Sequence, residues 1–443
     1  MSHLNRRQML AALASSSALP ALAAPLAGND YRALVCVFLY GGNDGNNMVV
    51  PLDTAGYAAY AKARGNAAAG GLALQASTLA PLAGTSLGLH PALAPLADLW
   101  TQGHLAVQTN VGSLVKPMTP AEFNRAGALA PTNLFSHSDQ QDQWQRGQSF
   151  SGTLANSTSG WGGRVADLQG GGVVPMALSV SGNNVFMTGA SSRGLSVGAG
   201  NGFAIKGFGG NPSGNPLYGL YQSLLQQPYA NAEEHAAASV LNQALKASNS
   251  LNTALSSGGS VAGLFAGLNS GVAQQLHTVA KLIESRSSLG ATRQLFFVSM
   301  GGFDTHNNQL AQQNQLFGEL GPALKAFYDA MQQLGTANAV TTFTASDFAR
   351  TLAPASGGGT DHAWGNHQFI LGGAVQRGIH GRMPQLVLGG PDDVSQEGRW
   401  LPTTSVDQMS ATLASWLGVS AADLGSVFPH LTNFPAKNLG YFG

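Results

Sequence analysis

The sequence is poor in charged side chains, which narrows the classes of protein it can encode. Only 9% of the 443 residues are Asp, Glu, Lys or Arg, against about 25% in ordinary globular proteins. The 21 basic and 21 acidic residues cancel. We expect no nucleic-acid partner, because such proteins carry a basic patch. The apolar fraction of 44% is ordinary, so the chain can bury a sizeable core.

Cysteine is almost absent. Cys36, the single cysteine, lies within an apolar run from Leu34 to Leu39, which predicts a buried, unreactive thiol. One cysteine excludes a disulfide within the chain. Beyond the N-terminal segment described next, no stretch reaches the ~18 consecutive apolar residues of a membrane-spanning helix. We therefore expect no membrane span in the mature protein.

Residues 1–27 have the order of charged, apolar and cleavage regions that is typical of a signal peptide. The pair Arg6-Arg7 precedes a weakly apolar, Ser-rich stretch at 11–18 and a plausible cleavage site at 21–23. We interpret the segment as a twin-arginine signal peptide. The translocase is then a partner during export, and the mature chain is periplasmic or extracellular.

Continuous apolar runs predict strands that are buried on both faces, as in a largely parallel sheet. The clearest are residues 31–40, 293–300 and 339–346. Further strands are expected at 104–111, 173–180, 369–374 and 385–388. Helical patterns cover 89–102, 217–227, 233–256, 270–286, 310–334 and 406–417. Residues 148–275 are rich in Gly, Ser and Asn, and we interpret them as an inserted cap or accessory layer over one α/β domain that spans 28–443.

Each of the three clearest strands is followed by an aspartate. Asp44 and Asp304 come after paired glycines, and Asp347 follows its strand directly. In open α/β sheets ligands bind at the carboxyl ends of the strands. The alternative for each aspartate is a turn or a helix cap.

Histidines accompany these aspartates in two loops. His306 lies two residues after Asp304, and the loop 357–367 contains Asp361, His362 and His367. Clustered carboxylates repel one another unless a cation neutralises them. Mixed Asp and His ligands favour Zn or Mn over Ca. We therefore expect one or two divalent metal ions. Two ions could stabilise the attacking and leaving oxygens of a phosphoryl or sulfuryl transfer.

Two further residues are candidates for catalysis. Ser136 opens a predicted helix, where it is either an N-cap or a nucleophile. Arg350 follows Asp347 closely and could steady an anionic group.

Several motifs together carry a resemblance to a known family. They are the twin-arginine leader and the segments at 41–47, 136–137, 301–306, 346–351 and 359–367. With these motifs the chain resembles a large family of exported bacterial proteins of unknown function, related to the alkaline phosphatase and sulfatase superfamily. The resemblance implies an α/β three-layer sandwich with a mainly parallel central sheet and a Gly/Ser-rich insertion.

The resemblance also implies roles for individual residues. Asp44 matches an aspartate that binds one metal, and Ser136 stands in the place of the nucleophile. Asp304 with His306 matches the pair that binds the other metal. Either Asp361 with His362 takes the place of a later Asp-His pair, with His367 as the last ligand, or Asp347 takes that place and His362 or His367 is the last ligand.

Two functions remain open on this evidence. The first is an exported, metal-dependent hydrolase that acts on phosphate or sulfate esters, either small anionic molecules or polymers. The second is a degenerate, non-catalytic member of the same fold that serves as a binding or assembly protein outside the cytoplasm. Phe348, which follows Asp347 where a histidine would be expected, and the amide-rich composition favour the second.

Overall fold

The structure is a computed structural model that describes residues 30–125, 129–151, 158–170, 172–199, 216–256 and 259–443. The predicted signal peptide lies outside these residues. Within them the strands are β1 (Arg32–Leu39), β2 (Val49–Pro51), β3 (Ala80–Pro81), β4 (Leu87–Leu89), β5 (Leu105–Gly112), β6 (Ala177–Ser179), β7 (Leu195–Ser196), β8 (Arg293–Met300), β9 (Val340–Ser346), β10 (Asn366–Gly372), β11 (Gly378–His380) and β12 (Thr404–Ser405).

The helices of the described residues are α1 (Gly45–Met48), α2 (Thr54–Arg64), α3 (Ala94–Gln102), α4 (Pro120–Phe123), α5 (His137–Arg146), α6 (Trp161–Gln169), α7 (Pro216–Leu225), α8 (Ala232–Ser256), α9 (Gly271–Glu284), α10 (Gln309–Gln333), α11 (Val406–Leu417) and α12 (Leu424–Val427). None of them has the combination of length and hydropathy that a membrane span requires.

Nine of the described strands form one central sheet. Its order is β11-β5-β10-β9-β1-β8-β6-β7, with β12 beside β5. Every pairing in it is parallel except those of β10, which runs antiparallel to β5 and β9. The predicted mainly parallel α/β sheet is confirmed.

The strand β1 shows why the sheet has a layer on each face. Successive side chains of a strand point to opposite faces, and those from Ala33 to Leu39 are all apolar. Val35 and Val37 pack with residues of α3, α9 and α10. Cys36 and Phe38 pack with residues of α6 and α11 on the other face. The three-layer sandwich and the buried thiol are therefore as predicted.

Some predicted elements differ from the structure. Residues 385–388 do not form a strand but lead into a turn at Leu388 and Gly389, in which Gly390 N donates to Val387 O at 2.9 Å. Residues 87–89 form β4 in a small separate sheet, and α3 begins only at Ala94. A 3₁₀ turn, Pro91–Leu93, separates the two elements and is capped by His90.

The Gly/Ser-rich region is more than a layer over the sheet. Its strands β6 and β7 extend the central sheet beside β8, and α6 contributes to the core on one face. Among the described residues of the region, α7 and the first half of α8 form a small cluster of their own. The prediction of a cap is therefore too simple, because composition does not reveal that such short strands join a larger sheet.

The topology brings four loops to one edge of the sheet. The strands β1, β8 and β9 are parallel neighbours, with Leu39 in register with both Met300 and Ser346, so the loops that follow them emerge side by side. The strand β10 runs the opposite way, and therefore the loop that precedes it reaches the same edge.

Candidate metal centre

The carboxylate of Asp304 is surrounded by three imidazoles. Its side chain, in the loop after β8, is 46% exposed. Its Oδ1 lies 3.0 Å from His306 Nε2 and 3.3 Å from His362 Nε2. Its Oδ2 lies 3.5 Å from Nε2 of His137, the first residue of α5. Five possible ligand atoms, which come from the loop after β8, the start of α5 and the loop before β10, thus lie around one carboxylate.

The imidazole of His137 is oriented by a buried carboxylate. Its Nδ1 lies 2.7 Å from Oδ2 of Asp347, and because a carboxylate only accepts, Nδ1 carries the proton. The hydrogen bond to Asp347 raises the pKa of His137. Its Nε2 is buried and has no hydrogen-bond partner among the described residues. In the neutral ring this buried nitrogen is an acceptor without a partner.

The imidazole of His362 is held in the same way by a carbonyl. Its Nδ1 donates to Phe135 O at 2.8 Å, so Nε2 presents its lone pair to the cluster. That Nε2 lies 3.0 Å from His306 Nε2. Burial lowers the pKa of His362, which favours the neutral ring that binds metals.

Arg350 supplies the positive charge next to Asp304. Burial acts to raise the pKa of Asp304, but the hydrogen bond and charge of Arg350 outweigh it, with smaller contributions from His137 and His306, and the pKa is lowered. Asp304 is therefore an anion in a cluster in which two imidazoles, those of His137 and His362, are held by oxygen acceptors on their far side. This far-side support is the arrangement that orients metal-binding histidines in proteins.

The spacing of the donor atoms fits a small divalent ion. The donor contacts around Asp304 and between His306 and His362 measure 3.0 to 3.5 Å. Ligands at ~2.0–2.2 Å from a tetrahedral ion are separated by about 3.3–3.6 Å. His137, Asp304 and His362 can therefore hold one ion, and His306 Nε2 lies beside Asp304 Oδ1 and His362 Nε2. The side chain of His306 is 45% exposed, which leaves one side of the cluster open to solvent.

A second group of possible ligands overlaps the first. It consists of His306, Asp361 and His362. Asp361 has other partners, since its Oδ1 accepts from His362 N at 2.8 Å and its Oδ2 from Arg399 at 3.1 Å. The two groups share His362.

Asp44, predicted to bind metal, is not brought into either group. Its side chain is 1% exposed and accepts from the guanidinium of Arg64 at 2.6 Å. It also caps α1 through Asn46 N at 3.0 Å and accepts from Gln309. The prediction is corrected because an arginine of α2, and not a metal ion, neutralises this carboxylate.

His367 is also placed elsewhere. It lies in β10 and is 1% exposed. Its Nδ1 accepts from Asn110 N of the neighbouring strand β5 at 3.1 Å, and burial lowers its pKa to about 4. It is a neutral core histidine rather than the predicted ligand.

Asp347 and Arg350 differ from their predicted roles for a common reason, which is complete burial. Asp347 accepts from His137, from Gly41 N at 3.1 Å and from Gln141 at 2.9 Å. It therefore positions an imidazole and is not itself a ligand. Arg350 donates to Asp304, to three backbone carbonyls (those of Gly41, Gly42 and Thr360) and, at 3.5 Å, to His306 Nε2, so no donor faces a substrate.

Ser136 lies between two residues that touch the cluster, Phe135 and His137. It occupies the N-cap position of α5 without capping it. Its Oγ donates instead to Asp139 Oδ2 at 2.5 Å and lies 3.2 Å from Ser138 Oγ. Its role as a nucleophile stays a prediction.

His137 is the site residue that sequence reasoning missed. It stands directly after the predicted nucleophile, in a segment that also contains Ser138 and Asp139. The signal was the high density of polar groups at a helix start. His137 and its partner Asp347 are 210 residues apart, and no local pattern reveals such a pairing.

The comparisons with known proteins concern the family and the fold. Residues 209–425, just under half of the chain, match the family described as "Protein of unknown function (DUF1501)". No curated protein matches the chain.

Three solved structures are similar to the chain. The first is the PsFucS1 sulfatase from Pseudoalteromonas sp., with 10% identity, TM-score 0.34, and coverage of 89% of this chain and 69% of that one. The second is a protein in the alkaline phosphatase superfamily from Vibrio parahaemolyticus, with 12% identity, TM-score 0.34, and coverage of 95% and 76%. The third is the phosphonate monoester hydrolase of Agrobacterium radiobacter, with 12% identity, TM-score 0.33, and coverage of 88% and 74%. At these values none assigns a residue or an activity to this chain.

Proposed function

We propose that the protein is a metal-dependent hydrolase of phosphate or sulfate esters, in which His137, Asp304 and His362 hold a divalent ion. One observation carries the proposal. The Nε2 atoms of two imidazoles converge on a partly exposed carboxylate, while the Nδ1 atom of each is fixed by an oxygen of Asp347 or Phe135. Zn or Mn suits this mixed donor set.

The chemistry follows from the donor set and from the open side of the cluster. A divalent ion held by His137, Asp304 and His362 would supply Lewis-acid chemistry to the ester group. The hydroxyl of Ser136 adds to phosphorus or sulfur and gives its proton to Asp139, which already accepts its hydrogen bond. The alcohol leaves with a proton from solvent. Water then hydrolyses the seryl ester, and Asp139 returns its proton to the oxygen of Ser136.

The place of action is part of the same proposal. Residues 1–27 direct export through the twin-arginine translocase, and residues 28–443 act as one α/β unit in the periplasm or outside the cell. The support is the Arg6-Arg7 pair, followed by the apolar and small-residue segments.

Metal content and ester hydrolysis of the purified mature protein test the function. After reconstitution with Zn or Mn and removal of free ion, the native protein should retain bound metal and hydrolyse an aryl phosphate or an aryl sulfate. His362→Ala should lose both the bound metal and the hydrolysis. Its metal affinity should fall by about 100-fold or more, since the loss of a ligand costs more affinity than the loss of a residue that supports a ligand. His235→Ala, on the exposed face of α8, is the matched control and should behave as the native protein.

A second candidate function has a specific observation in its favour. The guanidinium of Arg350 contacts Asp304, so the carboxylate already has one cation. A native protein that binds no ion after reconstitution would overturn the hydrolase and support a non-catalytic binding or assembly protein on this fold.

A further inference from the structure

Arg399 occupies the side of the cluster on which a second ion would bind. Its Nη2 donates to Asp361 Oδ2 at 3.1 Å, and its Nε donates to the carbonyl of His362 at 2.7 Å. The guanidinium also pairs with Glu397 and lies 5.0 Å from the centroid of the Phe135 ring. Its side chain is only 17% exposed. Arg399 is therefore a fixed cation between two carboxylates.

The position of Arg399 is determined by a buried carboxylate in its own loop. Asp393 Oδ1 accepts from Arg399 N at 3.0 Å, and its Oδ2 accepts from Gly398 N at 2.9 Å. The same carboxylate also accepts from Gly389 N and Ser395 N. These bonds fix the backbone of the loop from which the side chain of Arg399 reaches Asp361.

The two carboxylates of the cluster differ in the oxygen that they leave available. Both oxygens of Asp361 accept hydrogen bonds, one from Arg399 and one from His362 N. Asp304 gives Oδ1 to Arg350, but its Oδ2 accepts no hydrogen bond from a described residue and faces His137 Nε2 at 3.5 Å. Asp304 can therefore bind an ion beside its arginine, whereas Asp361 has no oxygen without a donor.

His362 cannot serve two ions. Its Nδ1 donates to Phe135 O, so only Nε2 has a lone pair for a metal. The groups His137–Asp304–His362 and His306–Asp361–His362 both require that nitrogen. At most one of the two groups can be filled.

We infer that the centre takes a single ion, at His137, Asp304 and His362, and that Arg399 supplies at Asp361 the positive charge that a second ion would otherwise supply. The inference rests on the proposed metal-dependent function and specifies its stoichiometry. Arg399 is a positioning residue, because it holds His362 through the backbone and through Phe135.

One residue that only the first group contains, His137, and one that only the second group contains, Asp361, test the assignment. The native protein and the variants His137→Ala, His137→Gln and Asp361→Ala are loaded with Zn or Mn, freed of excess ion, and analysed for metal per folded chain. We expect one ion in the native protein. Either His137 variant should lose at least about 10-fold in affinity, and Asp361→Ala should stay within about twofold, because it removes only a partly exposed ion pair.

Arg399→Gln adds a readout that a purely structural role would not change. It removes the cation from Asp361 Oδ2 and so lets that carboxylate approach the ion. We expect the metal affinity of Arg399→Gln to fall by about fivefold or more when Asp361→Ala is added, although Asp361→Ala has little effect in the native background. Equal effects of Asp361→Ala in both backgrounds would overturn the role of Arg399.

The outcomes separate this inference from the proposed function. Two ions per native chain, or one ion that is lost in Asp361→Ala but kept in the His137 variants, would overturn the inference while the metal-dependent function stands. No ion in the native protein would overturn the proposed function itself. One ion with the predicted loss pattern supports both.

Discussion

Asp44 and Asp304 occupy equivalent places in the sequence and unlike places in the molecule. Each follows two glycines and one further residue at the carboxyl end of a buried strand, and the two strands, β1 and β8, are parallel neighbours. The loops even touch, because a Cβ on Gly41 would overlap the backbone of Asp304. Gly41 and Gly42 have positive φ of 113° and 81°, which only glycine adopts readily.

The difference lies in what the chain does after each aspartate. After Asp44 it forms α1 and then α2, whose last residue, Arg64, returns to pair with the carboxylate. After Asp304 it continues to His306 and into α10, and the carboxylate stays 46% exposed. The first aspartate stabilises the fold, and the second faces three imidazoles. One motif thus serves two purposes, and the neighbouring elements decide which.

The largest expected effect is that of Asp44→Asn on stability. It leaves the guanidinium of Arg64 buried without its counter-charge, and two nitrogens of that group already lack partners among the described residues. Removing one member of a buried ion pair costs about 3–5 kcal/mol. Urea unfolding should show this loss, while Asp53→Asn, an exchange of one good helix cap for another in α2, should be nearly neutral. If Asp44→Asn lost metal but kept its stability, Asp44 would be a ligand and the contrast would fail.

Asp304→Ala should show the reverse pattern. We expect metal affinity, measured by calorimetric titration, to fall by about 100-fold or more, because a charged ligand is lost and its supporting residues alone are worth about 10–100-fold. In chelator the free energy of unfolding should fall by less than about 3 kcal/mol, the value of a hydrogen bond to a charged group, since Arg350 keeps its three carbonyl partners. A stability loss as large as that of Asp44→Asn, with affinity unchanged, would contradict the assignment.

Asp347→Asn tests a carboxylate that is buried like Asp44 but acts on the cluster. The exchange weakens the hold on His137 Nδ1, and the metal affinity should fall by about 10–100-fold. Gln141→Ala removes another donor to the same oxygen and is the control, with a smaller effect. Native affinity in Asp347→Asn would mean that His137 is not a ligand.

Asp407 extends the comparison to a buried carboxylate without a direct arginine partner. Burial raises its pKa to about 7, and its Oδ1 has no hydrogen-bond partner among the described residues. The folded protein therefore keeps a proton that the unfolded chain releases near pH ~3.9. Stability from this group is present at low pH and is lost as the pH rises from about 4 to about 7.

Asp407→Asn should remove that pH dependence. We expect the variant to be more stable than the native protein by about 1–2 kcal/mol at pH 8, and by less at pH 5. A shift of one pKa unit is worth about 1.4 kcal/mol, and the free energy that corresponds to the whole shift of Asp407 is an upper limit. The free energy of unfolding in urea is measured for both proteins at both pH values. The difference between the two proteins at each pH cancels the contribution of other titrating groups. A difference independent of pH would mean that Asp407 is ionised in the folded protein at both pH values.

The order of the layers was predictable because each signal is local. The strands β1, β8 and β9 are continuous apolar runs, and their observed bounds differ from the predicted ones by at most one residue at either end. The helix α11 has the predicted bounds, since Ser405 caps it and Gly418 ends it. The short strands β6 and β7 were not predicted with their bounds, because two or three residues carry no period.

The candidate site was predictable in part. Asp304, His306 and His362 lie together as expected, because carboxyl ends of parallel strands share one edge and β10 runs against them. Asp44 and His367 were misplaced because a polar residue that lies near a strand end in the sequence can still be buried in the core. Their partners, Arg64 and Asn110, contact them only in the folded chain.

By itself the sequence determined the layers of the fold, the strand ends and the supply of Asp and His residues near them, since these depend on hydropathy, period and turn chemistry. The tertiary structure decided which carboxylate is neutralised by arginine and which faces imidazoles. It also decided that His137 joins the cluster through Asp347. The physical reason is that burial and ion pairing are set by atoms hundreds of residues apart, and these come within hydrogen-bonding distance only when the sheet and its helices assemble.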